Sequence, residues 1–226
     1  MQVCLVTGYI PLKGNTWRLP AEYGALGEKL SGVPVPKKAF YMRVEDTWLY
    51  RFIKDVKPAP HVSEDGHPAK NSLEYMCAIH QKTSWLAQAA DERPEADWLV
   101  WVDYGIFHMN GVSNQVIYEV FEKLKHLPDD KIYAPGRMDK APVESAYPCW
   151  RFLASMLAVP RRYVDQLDFA CRATARQHIS KTNNVEWEVN SLARVEQNNR
   201  YKLPFHWYRA DFDSSIFTNF PGVQNV

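Results

Sequence analysis

Asp103 closes a nearly unbroken apolar run, Trp98-Leu99-Val100-Trp101-Val102, and is followed at once by Tyr104-Gly105. Burial has no use for a carboxylate there. An apolar run rich in β-branched and aromatic residues suits a central strand covered on both faces. In open α/β sheets, residues just past the carboxyl end of such a strand face the ligand crevice. Other reactive groups are scattered along the chain: Thr7-Gly8-Tyr9 at the end of a first apolar run, Lys82 on a largely apolar helical stretch, Glu186 and Glu188 flanking Trp187, and His206 in an aromatic tail. An acid at a strand end, a second acid ahead of a later helix and a late histidine are the parts for metal-assisted group transfer. A hard divalent ion takes carboxylate and phosphate oxygens, sometimes with one imidazole, and neutralises a leaving diphosphate. A separate Asp or Glu can then deprotonate an acceptor hydroxyl.

Each group also has an ordinary structural use. Asp103 can open a turn before Gly105 and Gly8 can serve a plain strand-end turn. Lys82 can run along apolar surface to reach water, and Glu186 and Glu188 can occupy the favourable field of a helix start. His61 and His67 lie in a polar, turn-rich loop where solvated histidines are more usual than metal ligands. Several chemistries are less favoured because their motifs are missing. There is no GxGxxG or GxxxxGK[ST] phosphate loop, no GxSxG elbow and no HExxH. The four cysteines form no CxxC pair and read as buried free thiols.

The elements that must position these groups follow from periodicity. Gln2 to Ile10 and the Ala96 to Asn110 stretch contribute strands, as do KAFYMR and KIYAP. Helices are expected at Pro20 to Leu30, from Asn71 to about Ala90, after Ser113 with Val116, Val120 and Leu124 on one face, and from Arg161 to His178 with its arginines on a solvated face, while DTWLYRFIKDV reads as a short helix or a strand-helix segment. Strand, helix and strand in alternation predict one α/β domain with βαβ crossovers. With 226 residues the chain is long enough to bury its own core. A formal charge of +1 gives no bulk attraction to nucleic acid, leaving only local clusters such as Arg161-Arg162 or Arg172 to Arg176. No apolar run approaches the roughly 20 residues of a membrane span, and the start lacks signal-peptide features, so a soluble, cytoplasmic protein is expected.

The order of TGY at the end of strand one, a lysine-bearing helix, WLVWVDYGIFH, a later WEVN and a terminal HWYRAD resembles small glycosyltransferases of the GT-A fold, especially compact viral and bacterial members that decorate capsids, surface polysaccharides or other polymers. The resemblance implies a GT-A-like, Rossmann-like domain over residues 1–226, with a mixed, mostly parallel sheet flanked by helices. Residues 1–110 would bind the nucleotide-sugar and 111–226 the acceptor. In that family the central strand ends in a DxD-type motif that holds Mn²⁺ or Mg²⁺ against the donor diphosphate; here the match is Asp103-Tyr104-Gly105, without the second acid. Carried over, Thr7, Gly8 and Tyr9 touch the nucleotide and Lys82 the nucleotide-sugar. Tyr104 and Gly105 complete that set, with the sugar close to the Gly105 backbone. Asp103 binds the metal directly or through water, with His206 as a further ligand. Glu188 becomes the general base of an inverting transfer to a glycan, a protein or another polymer, with Glu186 second. Two other classes stay open: a non-catalytic nucleotide-sugar binding domain, and an enzyme of phosphoryl or glycosyl transfer on modified DNA, which salt-sensitive DNA binding would favour.

Overall fold

The computed structural model describes residues 1–12, 20–56, 59–60, 70, 72–138, 143, 147–198 and 200–223. His61 and His67 and most of the polar connection between residues 139 and 146 fall outside them. In chain order the first half comprises β1 (Val3–Tyr9), α1 (Pro20–Leu30), β2 (Lys37–Tyr41), α2 (Trp48–Val56), β3 (Ala59–Pro60), α3 (Leu73–Ile79), α4 (Lys82–Glu92) and β4 (Trp98–Val102). The second half comprises α5 (Asn114–Leu124), β5 (Ile132–Gly136), β6 (Met156–Pro160), α6 (Arg161–Thr182), β7 (Asn184–Val185), α7 (Glu188–Gln197), β8 (Phe205–Arg209) and α8 (Ser215–Thr218).

Six strands form one sheet in the order β2-β1-β4-β6-β5-β8, parallel throughout except for β6, which runs against both β4 and β5. This is the mixed, mostly parallel sheet that the GT-A resemblance implies. Its first three strands come from residues before 110 and its last three from residues after it. All five β4 residues are buried, and alternation of side chains explains why. Leu99 and Trp101, with Cys4 and Val6 of β1, enter a core layer shared with α2, α3, α4, α6 and α7. Trp98, Val100 and Val102, with Val3 and Leu5, enter the opposite layer with α5 and α8.

The single helix expected from Asn71 to about Ala90 is two. Trp48 of α2 causes the break by bonding both residues at the joint: its indole Nε1 donates to the His80 carbonyl at 3.0 Å and its backbone amide to Gln81 Oε1 at 3.3 Å. The His80 ring reaches across to the Glu186 carbonyl at 2.9 Å. A carbonyl only accepts, so Nε2 carries a proton and donates it. Burial pushes its pKa down, against the opposing pull of that carbonyl and of Glu188 and Glu186. The unfolded chain therefore takes up a proton first, below about pH 6.5, and stability falls from there downward at up to about 1.4 kcal/mol per pH unit. Urea midpoints compared at about pH 7.5 and about pH 5.5 should show this loss, with a smaller one in His80→Gln; equal slopes in the two proteins would dismiss His80 as the cause.

The arginines of α6 are not a simple solvated face. Arg172 and Arg176 lie over the Trp48 ring, at 5.6 and 5.7 Å, and Arg176 also covers Phe52. Arg161 donates to the carbonyls of Ala90 and Arg93, and Arg162 pairs with Asp129. The two basic clusters are thus engaged within the fold, stacking on aromatics or closing turns. The helix ends where Asn183 turns left-handed, at φ 53°, as a C-terminal Asn can.

Candidate active site

The helix break makes Lys82 the first residue of α4 and brings its side chain under the carboxyl ends of β1 and β4, which are neighbours in the sheet. There the ammonium meets three acceptors: Glu188 Oε1 at 3.0 Å, Asp103 Oδ1 at 3.1 Å and the Ala154 carbonyl at 3.0 Å. The three N–H bonds of an ammonium are thereby satisfied. Burial alone would lower the Lys82 pKa; Asp103 and then Glu188 more than reverse this, so it stays charged. Ala154 takes φ 51°, in the left-handed region, in presenting its carbonyl, a conformation that costs a non-glycine residue on the order of 1–2 kcal/mol. Asp103 is anchored from beneath by Trp101 Nε1 at 2.7 Å. Both side-chain bonds fall on Oδ1, and the carboxylate, 31% exposed, faces a cleft in which it is the only acid among the described lining residues.

Aromatic rings wall the cleft. Tyr9 stacks on Tyr104 at 5.2 Å and leans on Tyr23 at 5.5 Å. The hydroxyls of Tyr41 and Tyr104 meet at 3.2 Å, and burial followed by that bond pushes Tyr104 up to about 12. The floor is a stack of Phe40, Trp85 and Trp101. Gly8 is required by this floor: a Cβ there would stand 2.5 Å from the Trp85 ring. Gly105 is likewise approached by Tyr23, at 3.0 Å from an added Cβ. Gly8→Ala should displace Trp85 and cost about 1–3 kcal/mol, with a shifted tryptophan emission; wild-type stability and emission would refute this packing reason. Tyr75, Lys70 and His108 also line the cleft. The sequence reading missed Tyr23 and Tyr75, which look like ordinary helix-face residues, and Ala154, which bears no local signal.

Of the residues singled out from sequence, Gly8, Tyr9, Lys82, Asp103, Tyr104 and Gly105 meet in this cleft. Thr7 does not: it is buried within β1 below the rim. Glu188 stands behind Lys82, outside the cleft lining. As general base it would have to act through the lysine, so its geometry is that of a residue that positions Lys82. Glu186 points away from Glu188, bonded to Arg194 at 3.1 Å and near His178 at 3.8 Å. His206 is not brought to Asp103. Register aligns it, through Tyr133 and Ala158, with Val100 in the middle of β4, but three strands away; its ring packs on Tyr133 at 5.0 Å, in the core layer opposite the one that holds Trp101, the partner of Asp103.

These residues do not fit a protein-held divalent ion. Asp103 Oδ1 and Glu188 Oε1 already share the Lys82 ammonium, beside which a dication would be repelled. Among the described residues, no group of three His, Cys, Asp or Glu is placed to hold a metal.

No protein-family model and no curated protein sequence matches the chain. Solved structures do. A glycosyltransferase involved in glycosylation of the major capsid of PBCV-1 superposes with a TM-score of 0.55 at 11% identity, covering 92% of this chain and 82% of that one. Mouse xyloside xylosyltransferase 1, in its apo form, gives 0.47 at 10% identity, covering 92% and 85%. The first likeness establishes the architecture: the chain has a GT-A-type fold.

Proposed function

We propose that the protein transfers a sugar from a nucleotide-sugar donor to a hydroxyl of a glycan, protein or other polymer. The observation that carries this reading is the buried Lys82 ammonium clasped by Asp103 and Glu188 at the carboxyl ends of β1 and β4, beneath a tyrosine-walled cleft, in a sheet of GT-A type. Tyr9, Tyr23 and Tyr104 offer faces for a nucleobase or sugar. The Lys82 charge faces the donor diphosphate. In the transfer the acceptor oxygen bonds to the anomeric carbon, whose bond to the diphosphate oxygen breaks. The diphosphate leaves with the electron pair, and the hydroxyl proton passes to a base. We assign that role to Asp103, whose Oδ2 is not used by Lys82 or Trp101 and which is the acid at the cleft surface. Glu188 then acts by holding Lys82.

A thermal-shift series with UDP-, GDP-, CMP- and dTDP-sugars tests the reading. A ligand that binds only the folded state raises the melting temperature by mass action, so selective stabilisation by one donor nucleotide is expected. No shift with any of them would overturn the donor reading.

A further inference from the structure

We propose that Lys82 takes the place of a divalent cation: its ammonium, not a protein-bound metal ion, is the charge that meets the donor diphosphate, an inference that rests on the nucleotide-sugar reading above.

Three features converge on it. The two carboxylates that could hold a metal each give one oxygen to the lysine, at 3.0 and 3.1 Å, which sets a cation between them, and a third acceptor, the carbonyl of left-handed Ala154, completes its shell at 3.0 Å. A shell this complete fixes the ammonium without the help of a ligand. The two acids are also supported from elsewhere: Glu188 begins α7, where the helix field favours a negative charge, and Asp103 accepts from Trp101 Nε1 at 2.7 Å. Finally, the three acceptors differ in exposure. Glu188 and Ala154 are buried, whereas Asp103 lies at the cleft surface. Asp103 is therefore the partner that Lys82 can exchange for a phosphate oxygen, which would free the carboxylate for the acceptor hydroxyl as the donor arrives. A fixed protein cation replaces a soluble one, and positioned charge of this kind stabilises a departing diphosphate.

The experiment has two arms on the full chain. In the first, Mn²⁺ is titrated into wild type, Asp103→Asn and Lys82→Ala, and free Mn²⁺ is followed by its electron paramagnetic resonance signal. Wild type should take up no more Mn²⁺ than Asp103→Asn, while Lys82→Ala, with two carboxylates released, should gain a site. Uptake by wild type that Asp103→Asn abolishes would overturn the proposal. In the second arm, UDP, GDP, CMP and dTDP are tested for thermal stabilisation of wild type in EDTA and in MnCl₂. The apparent affinity of the nucleotide that binds should agree within about twofold between the two conditions, and Lys82→Ala should lose about tenfold or more in EDTA and recover part of it with Mn²⁺. Stabilisation of wild type only with Mn²⁺ would overturn this proposal and leave the donor reading standing. No stabilisation under either condition would overturn the donor reading and this proposal's ligand with it. The wild-type comparisons decide the matter even if Lys82→Ala does not fold.

Discussion

Asp103→Asn is expected to keep the fold and lower sugar transfer by about 10²–10⁴-fold, the range for a positioned acid–base group. The isostere preserves the local hydrogen bonds. Its amide oxygen can still accept from Trp101 Nε1 and Lys82 Nζ, which now bond Oδ1 at 2.7 and 3.1 Å. Losing one negative charge beside a buried ammonium should cost stability on the order of 1 kcal/mol. What disappears is the only carboxylate among the described residues lining the cleft. The check is turnover of the donor selected by thermal shift, with circular dichroism melts of both proteins alongside. A wild-type rate in a folded variant would remove Asp103 from the chemistry.

The second large effect concerns stability. Lys82→Met keeps most of the side-chain volume but leaves Glu188, 8% exposed, and Asp103 facing each other without the cation between them. Removing one partner of a buried ionic cluster costs about 3–5 kcal/mol. In a chain of this length that lowers the melting temperature by roughly 6–20 °C, at 2–4 °C per kcal/mol. Adding Glu188→Gln should restore part of the loss, because one of the stranded charges is gone. The double-mutant cycle measures that coupling. The folded-state pKa of Lys82 is raised, so its contribution is complete below the unfolded value of about 10.4 and is lost only as pH rises through the folded value. A Lys82→Met variant within about 1 kcal/mol of wild type would mean the cluster is loosely held and well solvated.

Much of the scaffold could be read from local pattern. The unbroken apolar run of β4 predicts a central strand buried on both faces, and it is one. The four-residue spacing of Val116, Val120 and Leu124 predicts α5, whose inner face includes Val120 and Leu124. The acid after β4 lies in the cleft because strand ends in open α/β sheets gather there, a rule that needs only the strand and its direction. Tyr9 and Tyr104 reach the cleft for the same reason.

The roles of individual charges lay beyond local pattern. Glu186 and Glu188 are two residues apart and alike in sequence. Yet Trp187 lies where the chain turns into α7, and the acids part, Glu186 to Arg194 and Glu188 to Lys82. His206 has the composition of a site residue but the wrong place in the sheet, because β8 is the edge strand three places from β4 and the His206 ring packs on Tyr133 in the layer away from Trp101. Lys82 looked mid-helix until Trp48 of α2 divided the helix and made it a first residue. The sequence by itself determined which segments form strands and helices and that Asp103 ends the central strand, because burial and periodicity act over a few neighbouring residues. Only the tertiary structure decided which acids share the buried lysine. Lys82 and Glu188 are 106 positions apart, and the bond between them depends on a helix break, a strand order and a left-handed alanine that no local window contains.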